Sequence, residues 1–277
     1  MPLASSPRFA EELSVPPRIR GKVNPAVFLV KALVPPPLRR LLRAWHRRVV
    51  FHRAMKRLMA DPEAASLPNS TVMEDLVYGW GNPAWSAQGE YLRACVSHAL
   101  AAPGPVLECG SGLSTLVLGV IAQRTGQVHL ALEHSTAWAE KVRHYLDRYR
   151  ITAAEVTTAA LRDYGSFAWY DPPLAAMPAR FALVICDGPP GDTKGGRHGL
   201  VPVLGDKLRP GCVILVDDGA RPAEQAIAAR WSTQLGARPQ TFGQIKPYLK
   251  MIVGEAPRPL PELPRGNRPV PLEAAAG

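Results

Sequence analysis

The sequence predicts an α/β protein: a doubly wound sheet of seven mostly parallel strands with helices on both faces. Three observations predict it. From about residue 85 to 253, short apolar runs alternate with longer helical segments, the pattern of strand–helix units on a parallel sheet. A Gly-x-Gly turn, Gly110-Ser111-Gly112, joins the first apolar run to a helix. Three later runs end on acids: Glu133, Asp187 and the pair Asp217-Asp218. Acids at the carboxyl ends of successive strands face one crevice in such a sheet.

The elements follow in order. Residues 38–59 predict a helix with Leu38, Leu41, Leu42, Trp45 and Val49 on one stripe, ringed by Arg39, Arg40, Arg43, Arg47, Arg48, Arg53, Lys56 and Arg57. Residues 61–77, with Pro62 and Pro68, read as a linker, and 85–100 as a leading helix. Strand 106–109 is followed by helix 114–124, strand 128–133 by helix 136–149. A weaker strand lies near 155–159, and an aromatic, Pro-rich loop runs from 164 to 178. Strand 181–187, helix 200–208, strand 212–217 and helix 222–231 complete the alternation, and 240–253 supplies two closing strands. Residues 255–277 contain six prolines and little periodicity, the composition of a disordered tail. The organisation expected is a basic arm over 1–60, a linker over 61–77, a catalytic domain over 78–254 and a tail over 255–277.

Charge is unevenly placed. The 277 residues carry a net charge of +10, yet residues 1–60 hold 13 Lys/Arg against 2 Asp/Glu and the remainder 20 against 21. A nucleic-acid enzyme places basic residues around its catalytic face, so this split argues against one. The basic helix is expected either to pack on the core with a solvated face or to meet a membrane surface or another anionic partner. Cys95, Cys109, Cys186 and Cys212 form no Cys-x-x-Cys pair and read as small buried hydrophobes in a reducing compartment. No secretory signal pattern and no spanning apolar run is present. A cytoplasmic protein is expected, peripheral at a membrane if the basic helix binds one.

The Gly-rich turn narrows the chemistry. A dinucleotide fold wants a glycine three residues after Gly112, where this chain has Thr115, and Glu108 stands where a pyrophosphate would be repelled. A cationic ligand is favoured instead. The run Glu108-Cys109-Gly110-Ser111-Gly112 resembles the first motif of class I S-adenosylmethionine-dependent methyltransferases, with Ser114 where many members carry a third glycine. The resemblance spans about residues 78–254 and implies a Rossmann-like fold. It assigns Glu108, Gly110, Ser111, Gly112 and Ser114 to the cofactor, and Glu133, with His134 beside it, to its ribose hydroxyls. Asp187 and Trp85, the latter within the aromatic segment 78–86, are also assigned to the cofactor pocket.

Asp187, Asp217 and Asp218 would repel one another unless a cation sat between them. They resemble the metal site of Mg²⁺-dependent O-methyltransferases, so Mg²⁺ is expected on these three acids. Gly188-Pro189-Pro190-Gly191 departs from that family's pattern and leaves the general base open among Asp187, His198 and Lys194. Tyr170-Asp171-Pro172-Pro173 is similar to a nucleic-acid methyltransferase motif, but no apolar strand is expected before it and no aromatic follows the prolines. The expected function is methyl transfer to a hydroxyl of a small molecule or glycan, with Mg²⁺ assistance. The alternatives are a metal-free N- or O-methyltransferase and a non-catalytic cofactor-binding scaffold.

Overall fold

The computed structural model describes residues 35–82 and 87–255. The chain divides into two compact units, Met1–Trp45 and His46–Gly277. The expectations for 1–25, for the tail beyond residue 255 and for Trp85 lie outside the described residues.

The helices and strands follow the predicted alternation, with corrections. Helix α1 covers Pro36–Ala60, α2 Pro62–Ser66, α3 Val72–Trp80 and α4 Gly89–Ala101. The segment expected as a linker is therefore largely helical. It is also half core: Pro62, Ala65, Val72, Met73 and Leu76 are buried. Pro62 did not break the chain because it sits in the first turn of α2, where its missing N–H costs nothing, and Asp61 caps that turn by accepting from the Ala64 amide at 2.9 Å.

Strand β1 (Val106–Cys109) leads into α5 (Leu113–Thr125), β2 (His129–Glu133) into α6 (Thr136–Tyr149), and then comes β3 (Ala154–Thr158). Next is an unexpected hairpin, β4 (Leu161–Asp163) with β5 (Ala168–Tyr170). The sequence reading placed a loop over most of it. Ala168, Trp169 and Tyr170 are all buried, and so short an apolar run gives no period to read. Strand β6 (Phe181–Cys186), α7 (Leu200–Leu204), β7 (Leu208–Val216), α8 (Pro222–Leu235), β8 (Gln240–Phe242) and β9 (Tyr248–Ile252) complete the chain.

The seven-stranded sheet has the order β3-β2-β1-β6-β7-β9-β8. Pairs from β3 through β7 are parallel, and β9 is antiparallel to both β7 and β8. The strand order reverses between β1 and β6, which opens a crevice beyond their carboxyl ends. Alternation along the strands feeds two cores. Leu183, Ile185 and Leu215 face the residues buried on α3, α4 and α5. Leu107, Val184, Cys186 and Ile214 face Trp169, Trp231 and α7. All four cysteines are buried and unpaired. No helix among the described residues is long and apolar enough to cross a membrane.

Helix α5 is buried continuously from Leu113 to Ala122. Its closest approach is at Gly119, where a Cβ would meet Ile151 Cγ2 at 2.6 Å and Ala154 Cβ at 2.9 Å. Two effects compete in Gly119→Ala. Helix propensity favours alanine by about 1 kcal/mol. Overpacking against two atoms that cannot swing away costs about 1–3 kcal/mol. We expect a net loss of up to about 2 kcal/mol in urea unfolding; a stabilised variant would show that the contact relaxes freely.

Candidate functional site

A cleft of about 540 Å³ lies over the carboxyl ends of β1, β2, β6 and β7, within the range of small-molecule sites. Gly110, Ser111, Gly112 and Ser114 line it from the β1–α5 turn, with Glu133, His134 and Trp138 beside them. Asp187, Gly188, Arg197, Asp218, Arg221 and Lys246 form the opposite wall, with Tyr170 also in the lining.

The turn is built for close approach. Gly110 has φ 91°, and a Cβ there would meet the Gly188 amide nitrogen at 3.2 Å. Gly188 is tighter still: a Cβ would lie 2.3 Å from the Tyr170 hydroxyl. Thr115, which stands where a dinucleotide fold has glycine, is fully buried and accepts the Gly112 amide on its hydroxyl at 2.8 Å, closing the first turn of α5.

Glu133 organises the near wall. Its Oε2 accepts from the Ser111 amide (3.1 Å) and hydroxyl (2.9 Å), and its Oε1 from the Ser135 amide at 2.9 Å. His134 Nδ1 lies 3.0 Å from the same Oε1. Burial alone would raise this carboxyl, but the hydrogen bonds from His134, Ser135 and Ser111 outweigh it and hold it below the usual range. Trp138, which the sequence reading missed, donates its indole N–H to the Ser111 carbonyl at 2.8 Å, with the Lys141 ammonium over its ring at 4.3 Å.

Glu108 has a different place from the one expected. It is 1% exposed and does not line the cleft. Its Oε1 accepts the Ser114 hydroxyl at 2.5 Å, and His129 Nε2 lies 3.2 Å from its Oε2, off hydrogen-bond alignment. The physical reason is strand alternation: Leu107 and Cys109 join one core, so Glu108 points to the other face of the sheet, beneath α5. It fixes the start of that helix from behind.

The three aspartates do converge, with one oxygen of each within 4.8 Å of the others. Protein cations hold them. Arg197, 3% exposed, donates to the carbonyls of Asp187 (2.9 Å) and Asp217, and to Asp187 Oδ1 (3.2 Å) and Asp218 Oδ2 (3.0 Å). Lys246 reaches Asp217 Oδ2 at 2.5 Å and Asp218 Oδ1 at 3.0 Å. Arg221 pairs with Asp218 Oδ2 at 3.0 Å. Asp218 adopts φ 58°, a left-handed conformation that this set of partners over-determines. Desolvation works against Asp218 ionisation, but the bonds and charges of Lys246, Arg197 and Arg221 keep its carboxyl below the usual range.

Counting charges decides how much room is left for a metal. Asp187, Asp217, Asp218 and the buried Glu224, 3.7 Å from Arg197, face Arg197, Lys246 and Arg221. One acid is in surplus. Burial and the Asp217 charge push the Asp187 carboxyl up, to about 8, against the pull of Arg197 and Lys246, although 28% of its side chain still faces the cleft. A proton on Asp187 balances the cluster. Of the oxygens of Asp217 and Asp218, only Asp217 Oδ1 lacks a donor. A divalent ion would have to displace Lys246 from the oxygens it already holds. The donor set therefore fits a resident Mg²⁺ poorly.

The remaining predicted residues fall elsewhere. Lys194 pairs with Asp163 at 3.3 Å, both more than half exposed, and does not line the cleft. His198 packs its ring against Phe167, 5.3 Å between centroids, and its carbonyl accepts from the Trp231 indole. Burial and the Arg230 charge hold its ring below the ordinary histidine value. Neither is placed to serve as the general base. A short strand, β5, does precede Asp171, contrary to the sequence reading; the Asp171 side chain is 42% exposed, pairs with Arg162 and stands outside the cleft.

Tyr170 joins the site although the sequence reading assigns it no role there. The residue belongs to the cleft lining, its side chain is fully buried, and its hydroxyl has no hydrogen-bond partner among the described residues. Burial first, then the Cys109 and Glu133 charges, push its pKa well above the usual value, so it stays a donor.

No family model matches the sequence, and neither does any curated protein. Among solved structures, a methyltransferase from Podospora anserina with S-adenosylhomocysteine bound is similar at 15% identity and a TM-score of 0.49, covering 91% of this chain and 99% of that one. An O-methyltransferase from Bacillus cereus, also in complex with S-adenosylhomocysteine, is similar at 15% identity and 0.47, covering 72% and 99%. A precorrin-6Y C5,15-methyltransferase from Geobacter metallireducens is similar at 12% and 0.45, covering 62% and 91%.

Removing Lys246 tests the charge count. Lys246→Met leaves Asp217 and Asp218 short of a cation, and breaking a buried pair from one side costs about 3–5 kcal/mol, less here because 29% of the lysine side chain is exposed. We expect a clear drop in melting temperature. Millimolar Mg²⁺ should recover part of it in the variant and leave the wild type unchanged. A wild type strongly stabilised by Mg²⁺ would overturn the charge count.

Proposed function

We propose that the cleft binds S-adenosylmethionine and that the protein transfers its methyl group to a hydroxyl of a small-molecule or glycan acceptor, without a divalent metal. The observation that carries the reading is the bond from the Ser111 amide to Glu133. At a Gly-x-Gly turn that amide is the donor a phosphate would take. Here an ionised carboxylate has it, so a dinucleotide is disfavoured and a ligand with ribose hydroxyls and positive charge is favoured.

The residues present suit such a ligand. Glu133 holds two backbone amides and two side chains, Ser111 and His134. The side chains can turn away to admit a sugar diol while the amides keep the carboxylate ionised and aimed. Gly110 and Gly188 pack against each other, and beside Gly112, where a Cβ would meet nothing within 4 Å, a ligand can lie against the backbone; the Tyr170 hydroxyl, buried next to Gly188, is an unused donor at the cleft wall. Glu133, an ionised carboxylate with no lysine or arginine among its partners, supplies the cleft's negative charge, which suits a cationic ligand.

When bound, S-adenosylmethionine supplies a methyl group on a good leaving group. The protein's tasks are then alignment and proton removal. Asp187 is the general base that the geometry supports: it lines the cleft, and its raised carboxyl is matched to accepting a proton near neutrality. With the cofactor held there, the acceptor oxygen would bond to the methyl carbon as the carbon–sulfur bond broke and S-adenosylhomocysteine left, and Asp187 would take the acceptor's hydroxyl proton.

Calorimetry checks the binding half. S-adenosylhomocysteine should bind and NAD should not. Glu133→Ala should weaken binding by about 1.5–3 kcal/mol, the scale of hydrogen bonds to a charged group. Tight NAD binding without S-adenosylhomocysteine binding would sink the reading.

The second prediction concerns Asp187 and the sign of the pH effect. Only the ionised form accepts a proton. A raised carboxyl therefore shifts the rise of the rate with pH from the ordinary carboxylate region toward neutrality, and the rate should climb through about 8. Asp187→Asn should keep S-adenosylhomocysteine affinity within a few-fold and lose about 10²–10⁴ in rate, the usual worth of a general base. The assay is labelled-methyl transfer across a panel of phenols and sugars. An unchanged pH profile in the variant would remove Asp187 from the chemistry.

A further inference from the structure

We infer that the first turns of α1 form a docking surface for an anionic lipid bilayer, on which the helix lies without crossing it. Leu38, Leu41, Leu42 and Trp45 are 46%, 67%, 51% and 64% exposed. They recur at i, i+3, i+4 and i+7, so they form one continuous stripe. Four large apolar side chains left open on about two turns of helix make a patch that a soluble surface does not need.

The phase of the helix shows that this stripe is not core left over. At about 100° per residue, Leu38, Leu41, Leu42 and Trp45 cluster around one direction. The buried residues of the same helix, Phe51, Ala54, Met55 and Leu58, cluster around the opposite one. The sequence maintains two apolar sets half a turn out of phase, and the second already accounts for core packing.

The charges point to the occupant. Arg39, Arg40 and Arg43 stand away from the apolar stripe on the same wheel, and the 25 residues of α1 contain eight Lys/Arg and no Asp/Glu. An apolar stripe with a basic opposite face is the design of a helix lying in a bilayer interface. The leucines enter the acyl boundary, the tryptophan sits at headgroup depth, and the arginines reach anionic headgroups along their aliphatic stems. A second copy of the chain is a poorer occupant, because two such helices side by side bring like charges together with no acid to answer them. A nucleic acid would use the arginines and leave the apolar stripe in water. The helix is too polar to span.

The test uses the full chain in vesicle flotation, with phosphatidylcholine alone against phosphatidylcholine containing phosphatidylglycerol. Binding is expected to anionic vesicles only and to fall with added salt. Each basic residue near such a surface is worth about 1 kcal/mol, so Arg39→Glu with Arg43→Glu should weaken binding by more than tenfold. Leu41→Glu with Trp45→Glu should weaken it by a similar factor. All four positions are exposed, so the melting temperature should not move. Equal binding to neutral vesicles, no binding to either, or full binding by the leucine–tryptophan variant would each overturn the inference. So would a lipid-free dimer, seen by light scattering, that the same variant dissociates.

Discussion

A buried arginine sets the terms for half of the cleft. Arg197 is carried on the short turn before α7 and is almost wholly out of solvent, between the ends of β6 and β7. A guanidinium in that position is tolerable only if acids and carbonyls surround it. The backbone oxygens of Asp187 and Asp217 and the carboxylates of Asp187, Asp218 and Glu224 do so. Its pKa is pushed further upward by those acids despite its burial, so it never releases the charge. The cation also ties the carboxyl ends of two parallel strands together beside the crevice.

Everything else on that wall answers this choice. Acids gathered around Arg197 exceed what one cation can balance, and Lys246 and Arg221 take up the excess. Lys246 arrives from the turn before β9, which Glu90 of α4 holds by accepting the Gln244 and Ile245 amides at 3.0 and 3.1 Å. The near wall is arranged on a different principle. There Glu133 is satisfied by two amides, the Ser111 hydroxyl and the His134 ring, and carries its charge without any lysine or arginine among its partners. One side of the cleft is neutralised by fixed ions, the other presents a hydrogen-bonded anion.

The sheet was legible in the sequence because its strands are short continuous apolar runs bounded by turn residues, and the acids that end them fall where a ligand must bind. Glu133 and Asp187 were found by that rule alone, and both line the cleft. Glu108 was misplaced because a motif gives order along the chain and not the face of the strand; the alternation of Leu107 and Cys109 held that information. Two of the three cations that hold the aspartates were illegible for another reason. Arg197 and Lys246 come from turns whose approach to the strand ends is settled by tertiary packing, and no local pattern marks them. Tyr170 lies in a segment too short to show a period, and Pro62, which reads as a breaker in a linker, opens a helix instead.

The same geometry explains why three clustered acids need not mean a metal. A divalent ion and a set of protein cations are alternative ways to relieve the same repulsion. The choice between them fixes the proton inventory. With a metal, all three carboxylates would be held ionised as ligands. With Arg197, Lys246 and Arg221, the count comes out one positive charge short, and the carboxyl that absorbs the difference is Asp187, the acid most open to the cleft. Proton-accepting capacity near neutrality is thus a consequence of using side-chain cations there. Charges set back from the cleft thus tune its most open acid, and the arginine held between the ends of β6 and β7 also sets the acidity of the cleft floor.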